Sequence, residues 1–128
     1  MGKLLEHENL LPDGIVSSTA VRARTTSEAL ALASGFQGTI GFAEELYAAE
    51  VADYVECIRA RPERERRVLV VGHNPTVEEL IEWLTGEEER MPTAALAQIS
   101  LSIDAWKDLG TNRDGKLVNL WRPRELPG

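Results

Sequence analysis

Two short stretches of this chain hold side chains that could manage an anion. The first is Ser17-Ser18-Thr19-Ala20-Val21-Arg22-Ala23. An extended pattern gives way there to a helical one, so the free N–H groups of a helix start lie beside an arginine able to grip an oxyanion through two parallel bonds. The plainer reading makes Ser18 or Thr19 an N-cap and Arg22 a solvated surface residue, and spacing alone favours it. The second stretch is Gly72-His73-Asn74-Pro75, which closes the run Val68-Leu69-Val70-Val71. An imidazole there can bind phosphate as a cation or move a proton near neutral pH. A histidine that only caps or packs explains the same position equally well. The other reactive types are His7, in Leu5-Glu6-His7-Glu8, and the single cysteine, Cys57. Cys57 falls inside a helical pattern and reads as a small core or boundary residue.

The elements that carry these residues follow from periodicity. Lys3 to Asn9 fits one or two helical turns, and Ile15 to Ser18 a short strand. Thr19 to Ser34 predicts a helix with Ala23, Thr26, Leu30 and Ala33 on its buried stripe and Gly35 as its stop. Thr39 to Phe42 is a second short strand, and Ala48 to Ala60 a second long helix on Val51, Val55 and Ile58. Val68 to Val71, an unbroken aliphatic run, predicts a strand covered on both faces and the most buried of the sheet. Asn74 then serves as N-cap and Pro75 as first residue of a helix on Val77, Leu80, Ile81 and Leu84, ended by Gly86. From Ala95 to Ile103 apolar and polar residues alternate, and Lys116 to Trp121 returns after the turn signal Asp114-Gly115. The sum is an α/β protein: a mainly parallel sheet flanked by helices, with a C-terminal antiparallel hairpin and a loose tail over 122–128. Ligands of such sheets bind beyond the carboxyl ends of the strands, where both stretches fall.

Composition narrows the function classes. A chain of 128 residues makes one domain with a real core. The formal charge of -7 argues against nucleic acid and anionic membranes as partners. No apolar run reaches membrane-spanning length and no signal-peptide pattern opens the chain, so a cytoplasmic protein is expected. One cysteine excludes an internal disulfide and a cysteine-based zinc cluster, and no metal or cofactor motif occurs. The arginines between 59 and 67 alternate with Glu63 and Glu65 and read as a solvated loop. Trp83, Trp106 and Trp121 are widely spaced and read as packing residues.

Taken in order, Leu11-Pro12-Asp13, Ser17-Ser18, Arg22-Ala23 with Thr25-Thr26, Leu46-Tyr47, Val70-Val71-Gly72-His73-Asn74-Pro75 and Pro92-Thr93-Ala94-Ala95-Leu96-Ala97 resemble the histidine phosphatase superfamily, and within it the small bacterial phosphohistidine phosphatases. The resemblance implies a phosphoglycerate-mutase-like fold and a reaction without cofactor or metal. In the family a histidine in an Arg-His-Gly motif, ending the first strand, attacks phosphorus and is transiently phosphorylated before water releases the phosphate. On that resemblance Arg22 matches the family's second arginine and His73 its second histidine, both catalytic and substrate-binding. Thr93 and Ala94 match a segment offering hydroxyl and backbone N–H groups to the phosphate. The implied ligands are a phosphorylated protein, a small phosphorylated ligand, or a phosphate or sulfate ion. Glu44 or Glu45 falls near the position of a general acid.

One departure stands out: no Arg-His-Gly occurs in the sequence. His7 follows no strand and is flanked by two carboxylates, so it is rejected as nucleophile. Met1-Gly2 aligns inside the helix that normally follows the nucleophile strand, and a few tens of family residues are therefore expected upstream. The first central strand would then be missing, the chain inactive as written, and its exposed strand edges open to self-association. A non-catalytic phosphate- or phosphoprotein-binding relative is the alternative.

Overall fold

A computed structural model describes residues 2–110 and 114–122. The chain runs α1 (Gly2–His7), β1 (Gly14–Ser18), α2 (Val21–Ser34), β2 (Gly41–Ala43), a 3-10 turn at Glu44–Leu46, α3 (Val51–Arg59), β3 (Val68–Val71), α4 (Thr76–Thr85), β4 (Leu96–Leu101), a second 3-10 turn at Trp106–Asp108 and β5 (Gly115–Trp121). Three strands form a parallel sheet in the order β2-β1-β3, with Val16 opposite Gly41 on one side and Val70 on the other. β4 and β5 form a separate antiparallel pair, Leu96 opposite Trp121 and Leu101 opposite Gly115, with an irregularity between Gln98 and Ile99. Among the described residues β3 and β4 each pair on one edge only, and those unpaired edges face each other across a groove.

The sheet is held from both faces. Val16 points into a cluster with Leu46, Tyr54, Val55, Ile58, Leu80, Leu84 and Leu109, which is the core between the sheet and the pair α3–α4. Ile15 and Ser17 alternate with Val16 and so face the other way, where α2 crosses β1; both are fully buried. The most buried strand is therefore β1, and not the aliphatic run at Val68–Val71, each residue of which is half-buried. The open edge of β3 is the reason. The stripe of α2 is corrected likewise: Ala23, Ser27 and Ser34 are buried, Thr26 and Ala33 exposed. Two serines can take core positions because their hydroxyls donate to the carbonyls of Arg24 and Ala31, while Thr26 and Leu30 line the groove.

Loops between the elements are tied by charged groups that were expected to be solvated. The Arg61 guanidinium bonds the Glu65 carboxylate through Nε at 2.8 Å and a terminal nitrogen at 2.9 Å, with side-chain exposures of only 16% and 9%. Trp106 donates its indole N–H to the Glu65 carbonyl at 2.6 Å. A Cβ at Gly14 would lie 2.1 Å from a Glu65 oxygen, so the start of β1 needs a glycine there. Asp13 clips the other side of the same junction: its carboxylate accepts the N–H groups of Arg66 and Arg67 at 2.8–3.0 Å. Arg122 belongs to the ordered body rather than the tail, donating to the Arg90 carbonyl and to Glu89. Residues 123–128 of the expected tail, and 111–113 beside the turn signal at Asp114, lie outside the described residues. No helix among the described residues is long and apolar enough to cross a membrane.

Candidate functional site

The carboxyl ends of β1 and β3 are parallel neighbours, Ser17 opposite Val71, so the segments that leave them emerge side by side. From β1 the chain passes through Ser18 and Thr19 into α2. Ala20 is the N-cap and makes no side-chain capping bond, so neither Ser18 nor Thr19 plays that part. Ser18 is instead fully buried and its Oγ accepts the Ala20 N–H at 3.2 Å. Arg22, on the first turn of α2, is exposed and lines the groove. Its neighbour Arg24 stacks 4.0 Å from the centre of the Phe42 ring, which separates the two arginines by role.

From β3 the chain passes through Gly72 and His73. The backbone N–H of His73 donates to the Tyr54 hydroxyl at 3.1 Å, and Nε2 of His73 shares a 2.8 Å hydrogen bond with Ser18 Oγ. Burial pushes the Tyr54 phenol above its ordinary range, while the His73 N–H works the other way. A Cβ at Gly72 would sit 2.0 Å from the Tyr54 oxygen, so only glycine lets the tyrosine reach under the turn. The helix start differs from the expectation: α4 begins at Thr76 with Pro75 as N-cap, after a cis Asn74–Pro75 bond. Asn74 has another use, its side-chain amide donating to the Met91 carbonyl. The Met91 N–H in turn donates to Glu78 at 2.7 Å, so the segment leading into Pro92-Thr93-Ala94 is anchored to α4. Ala94 takes the left-handed conformation, φ 66°, at the entry to β4.

Arg22, His73, Thr93 and Ala94 all line one cavity of about 500 Å³. Its long walls are β3 and β4, and Val68, Leu69, Leu96, Ala97 and Ile99 continue it into a smaller recess of about 100 Å³ beside α1, where Arg67 and Trp121 border it. Among the described residues no carboxylate lines either part, although the chain carries 21 acidic against 14 basic residues. The chemistry on offer is thus anion binding at one end of an apolar trough. Glu44 and Glu45 are exposed on their 3-10 turn and do not line it, nor does His7, whose side chain is 83% exposed on α1. Cys57 packs against the core and its thiol is pushed up by burial, then by the nearby carboxylates of Glu45 and Asp53. Ser18, Tyr54 and Asn74 were not anticipated as site residues. The family-like stretches Ser17-Ser18 and Gly72-His73-Asn74-Pro75 hinted at Ser18 and Asn74, and nothing in the sequence hinted at Tyr54.

No family model matches the sequence, and no curated protein matches it. Solved structures do. A protein named as the phosphohistidine phosphatase SixA from Nakamurella multipartitia superposes with a TM-score of 0.83 at 26% identity, over 95% of this chain and 77% of that one. One from Agrobacterium tumefaciens, named likewise, gives 0.75 at 29% identity, over 95% and 75%. The protein histidine phosphatase SixA in complex with tungstate gives 0.83 at 22% identity, over 98% and 78%, a likeness of fold alone.

Proposed function

On the histidine phosphatase fold, which this chain has, we propose that the chain forms the phosphoryl-binding part of a phosphohistidine phosphatase acting on a phosphorylated protein, and that the attacking histidine arrives on a strand filling the groove between β3 and β4. Arg22 and His73 bind the equatorial oxygens of the phosphoryl group, and Thr93 with the N–H groups around Ala94 completes the cradle. The attacking imidazole displaces the substrate's imidazole from phosphorus, the old P–N bond breaking as the new one forms. Water then takes the phosphoryl group off the enzyme. Because charge spreads over the oxygens in the transition state, fixed cations and N–H donors supply most of the catalysis, and no metal takes part in this reading. With the proton already on its distal nitrogen, the substrate's ring leaves as neutral imidazole, far less basic than an alkoxide, so the step depends less on a general acid such as Glu44 or Glu45.

The observation that carries the reading is the groove itself. Two open strand edges face each other over apolar walls, and the candidate phosphate ligands sit at the end where a parallel strand beside β3 would finish. None of the 128 residues supplies Arg-His-Gly. The chain alone is expected to bind phosphate or sulfate without turnover, and its open edges also fit pairing with a second copy. The non-catalytic relative remains the second reading, favoured by the exposed position of His7 outside the groove.

The test adds a synthetic peptide, an apolar extended run ending in Arg-His-Gly, to the chain. The expected result is a higher Tm together with hydrolysis of a phosphohistidine peptide, and loss of hydrolysis alone when the added histidine is replaced by alanine. Binding without turnover favours the non-catalytic reading. Failure of the peptide to bind at all, or turnover by the chain without it, overturns the proposal.

A further inference from the structure

Ser18 is enclosed, with no exposed surface, and its hydroxyl meets two described partners, the Ala20 N–H at 3.2 Å and His73 Nε2 at 2.8 Å. A hydroxyl has one proton and two lone pairs. The Ala20 N–H occupies one lone pair. If Ser18 gives its proton to Nε2, every group in the set is satisfied. If Nε2 carries a proton and donates instead, the Ser18 proton is left buried with no acceptor among the described residues, the costlier arrangement. Nδ1 of His73 has no protein partner among the described residues, and His73 lines the groove.

We infer that Ser18 is a positioning residue that holds neutral His73 with its proton on Nδ1, making Nδ1–H a donor to a bound oxyanion without requiring a charged imidazole. The inference deepens the proposed phosphoryl site and rests on it for the identity of the anion. The tautomer itself rests on geometry alone. Its functional consequence is that the neutral ring itself donates to the anion. Among the described residues the charged or titratable groups that share the groove or the turn with His73 are Arg22 from α2 and the Tyr54 phenol from α3, and no Asp or Glu lines the groove.

Nitrogen-15 shifts of the two imidazoles, read near pH 8 without added anion, test the tautomer directly, with exposed His7 as internal reference. His73 is expected to show a protonated Nδ1 and an unprotonated Nε2, where His7 shows a rapidly exchanging mixture. Ser18→Ala should move His73 toward the His7 pattern. Ser17→Ala, altering the neighbouring buried hydroxyl that donates to the Ser18 carbonyl, should not. Sulfate, which does not titrate near this pH, is the binding probe. Its affinity at pH 8 should be lower in Ser18→Ala than in the unaltered chain by about two- to fivefold, because a ring free to exchange tautomers presents Nδ1–H to the anion only part of the time. Ser18→Thr, which keeps the hydroxyl, should restore the affinity of the unaltered chain. A His73 pattern in the unaltered chain that matches His7, or shows the proton on Nε2, overturns the inference even if Ser18→Ala fails to fold. Correct ring shifts with no sulfate binding leave the tautomer standing and overturn the phosphoryl site.

Discussion

Tyr54→Phe isolates the support beneath the candidate site. The tyrosine is 1% exposed, and its hydroxyl is the acceptor for the His73 backbone N–H at 3.1 Å. Removing one oxygen leaves that N–H half-buried without a protein acceptor, and an unsatisfied donor of this kind costs about 1–3 kcal/mol. His73 is only half-buried and lines the groove, so the lower part of the range applies, about 1–1.5 kcal/mol. With a urea m-value of about 1–3 kcal/mol/M for a domain of this size, the unfolding midpoint followed by tryptophan fluorescence should fall by about 0.3–1.5 M. A second substitution sharpens the test. Gly72→Ala places a methyl 2.0 Å from the Tyr54 oxygen and 2.6 and 2.7 Å from the two nearest ring carbons. In the unaltered chain the ring must move, at about 1–3 kcal/mol. In the Y54F background the tightest clash is gone and the ring contacts remain, so the cost should shrink by about 1 kcal/mol without vanishing. Sulfate affinity should weaken severalfold in either single variant, because both displace the turn that carries His73. A Y54F midpoint unchanged within about 0.1 M, together with an equal Gly72→Ala cost in both backgrounds, would refute this account of the turn.

Two further expectations concern the junction where β1 and β3 begin. Partial burial works to raise the Asp13 carboxyl, but the N–H groups of Arg66 and Arg67, its own N–H and the Arg67 guanidinium together hold it below the ordinary value. A folded pKa below the unfolded value of about 3.9 gives stability that is present above that pH and lost as pH falls through the folded value. Asp13→Asn should therefore lower Tm at neutral pH and flatten its decline below about pH 4; an unchanged acid limb counts against the clip. Glu65→Ala should cost about 3 kcal/mol or more, since it strands the enclosed Arg61 guanidinium, and Arg61→Met with Glu65→Leu should recover much of that. A loss below about 1 kcal/mol, as an exposed pair would give, contradicts the burial argument.

Much of this molecule can be read from periodicity and punctuation, and the limits of that reading have one physical form. Strand-to-helix transitions at Ser18 and Gly72 place Arg22 and His73 at the same edge of a parallel sheet, a local consequence of right-handed strand–helix units. The contacts that shape the site join residues far apart in sequence: Ser18 with His73, Tyr54 with His73, Asp13 with Arg66 and Arg67. No repeat of 2.0 or 3.6 encodes such pairs. Arg61 and Glu65 fail for a related reason, because a charged run looks solvated until an indole and a strand start close over it.

Burial is where sequence and structure part most clearly, and most of the apolar residues that are less buried than expected gather in one place. Val68 to Val71 have the composition of a strand enclosed on both faces, yet each is half-buried. Leu30 on α2 and Leu96, Ile99 and Leu101 on β4 are apolar and likewise only half-buried. Every one of them lines the same groove. β1, whose sequence is shorter and carries two serines, is buried throughout because it has a neighbour on each edge. Scattered exposed leucines would need no explanation, but a continuous apolar trough between two unpaired strand edges does. An edge can be covered by a helix or loop, or paired by a strand; only a strand satisfies N–H and C=O groups on both walls at once. Ordinary strands lie about 4.8 Å from each neighbour, so one strand between β3 and β4 would join the two sheets into a single one. Its end would then lie among Arg22, His73 and Thr93, where the proposed reaction needs its nucleophile.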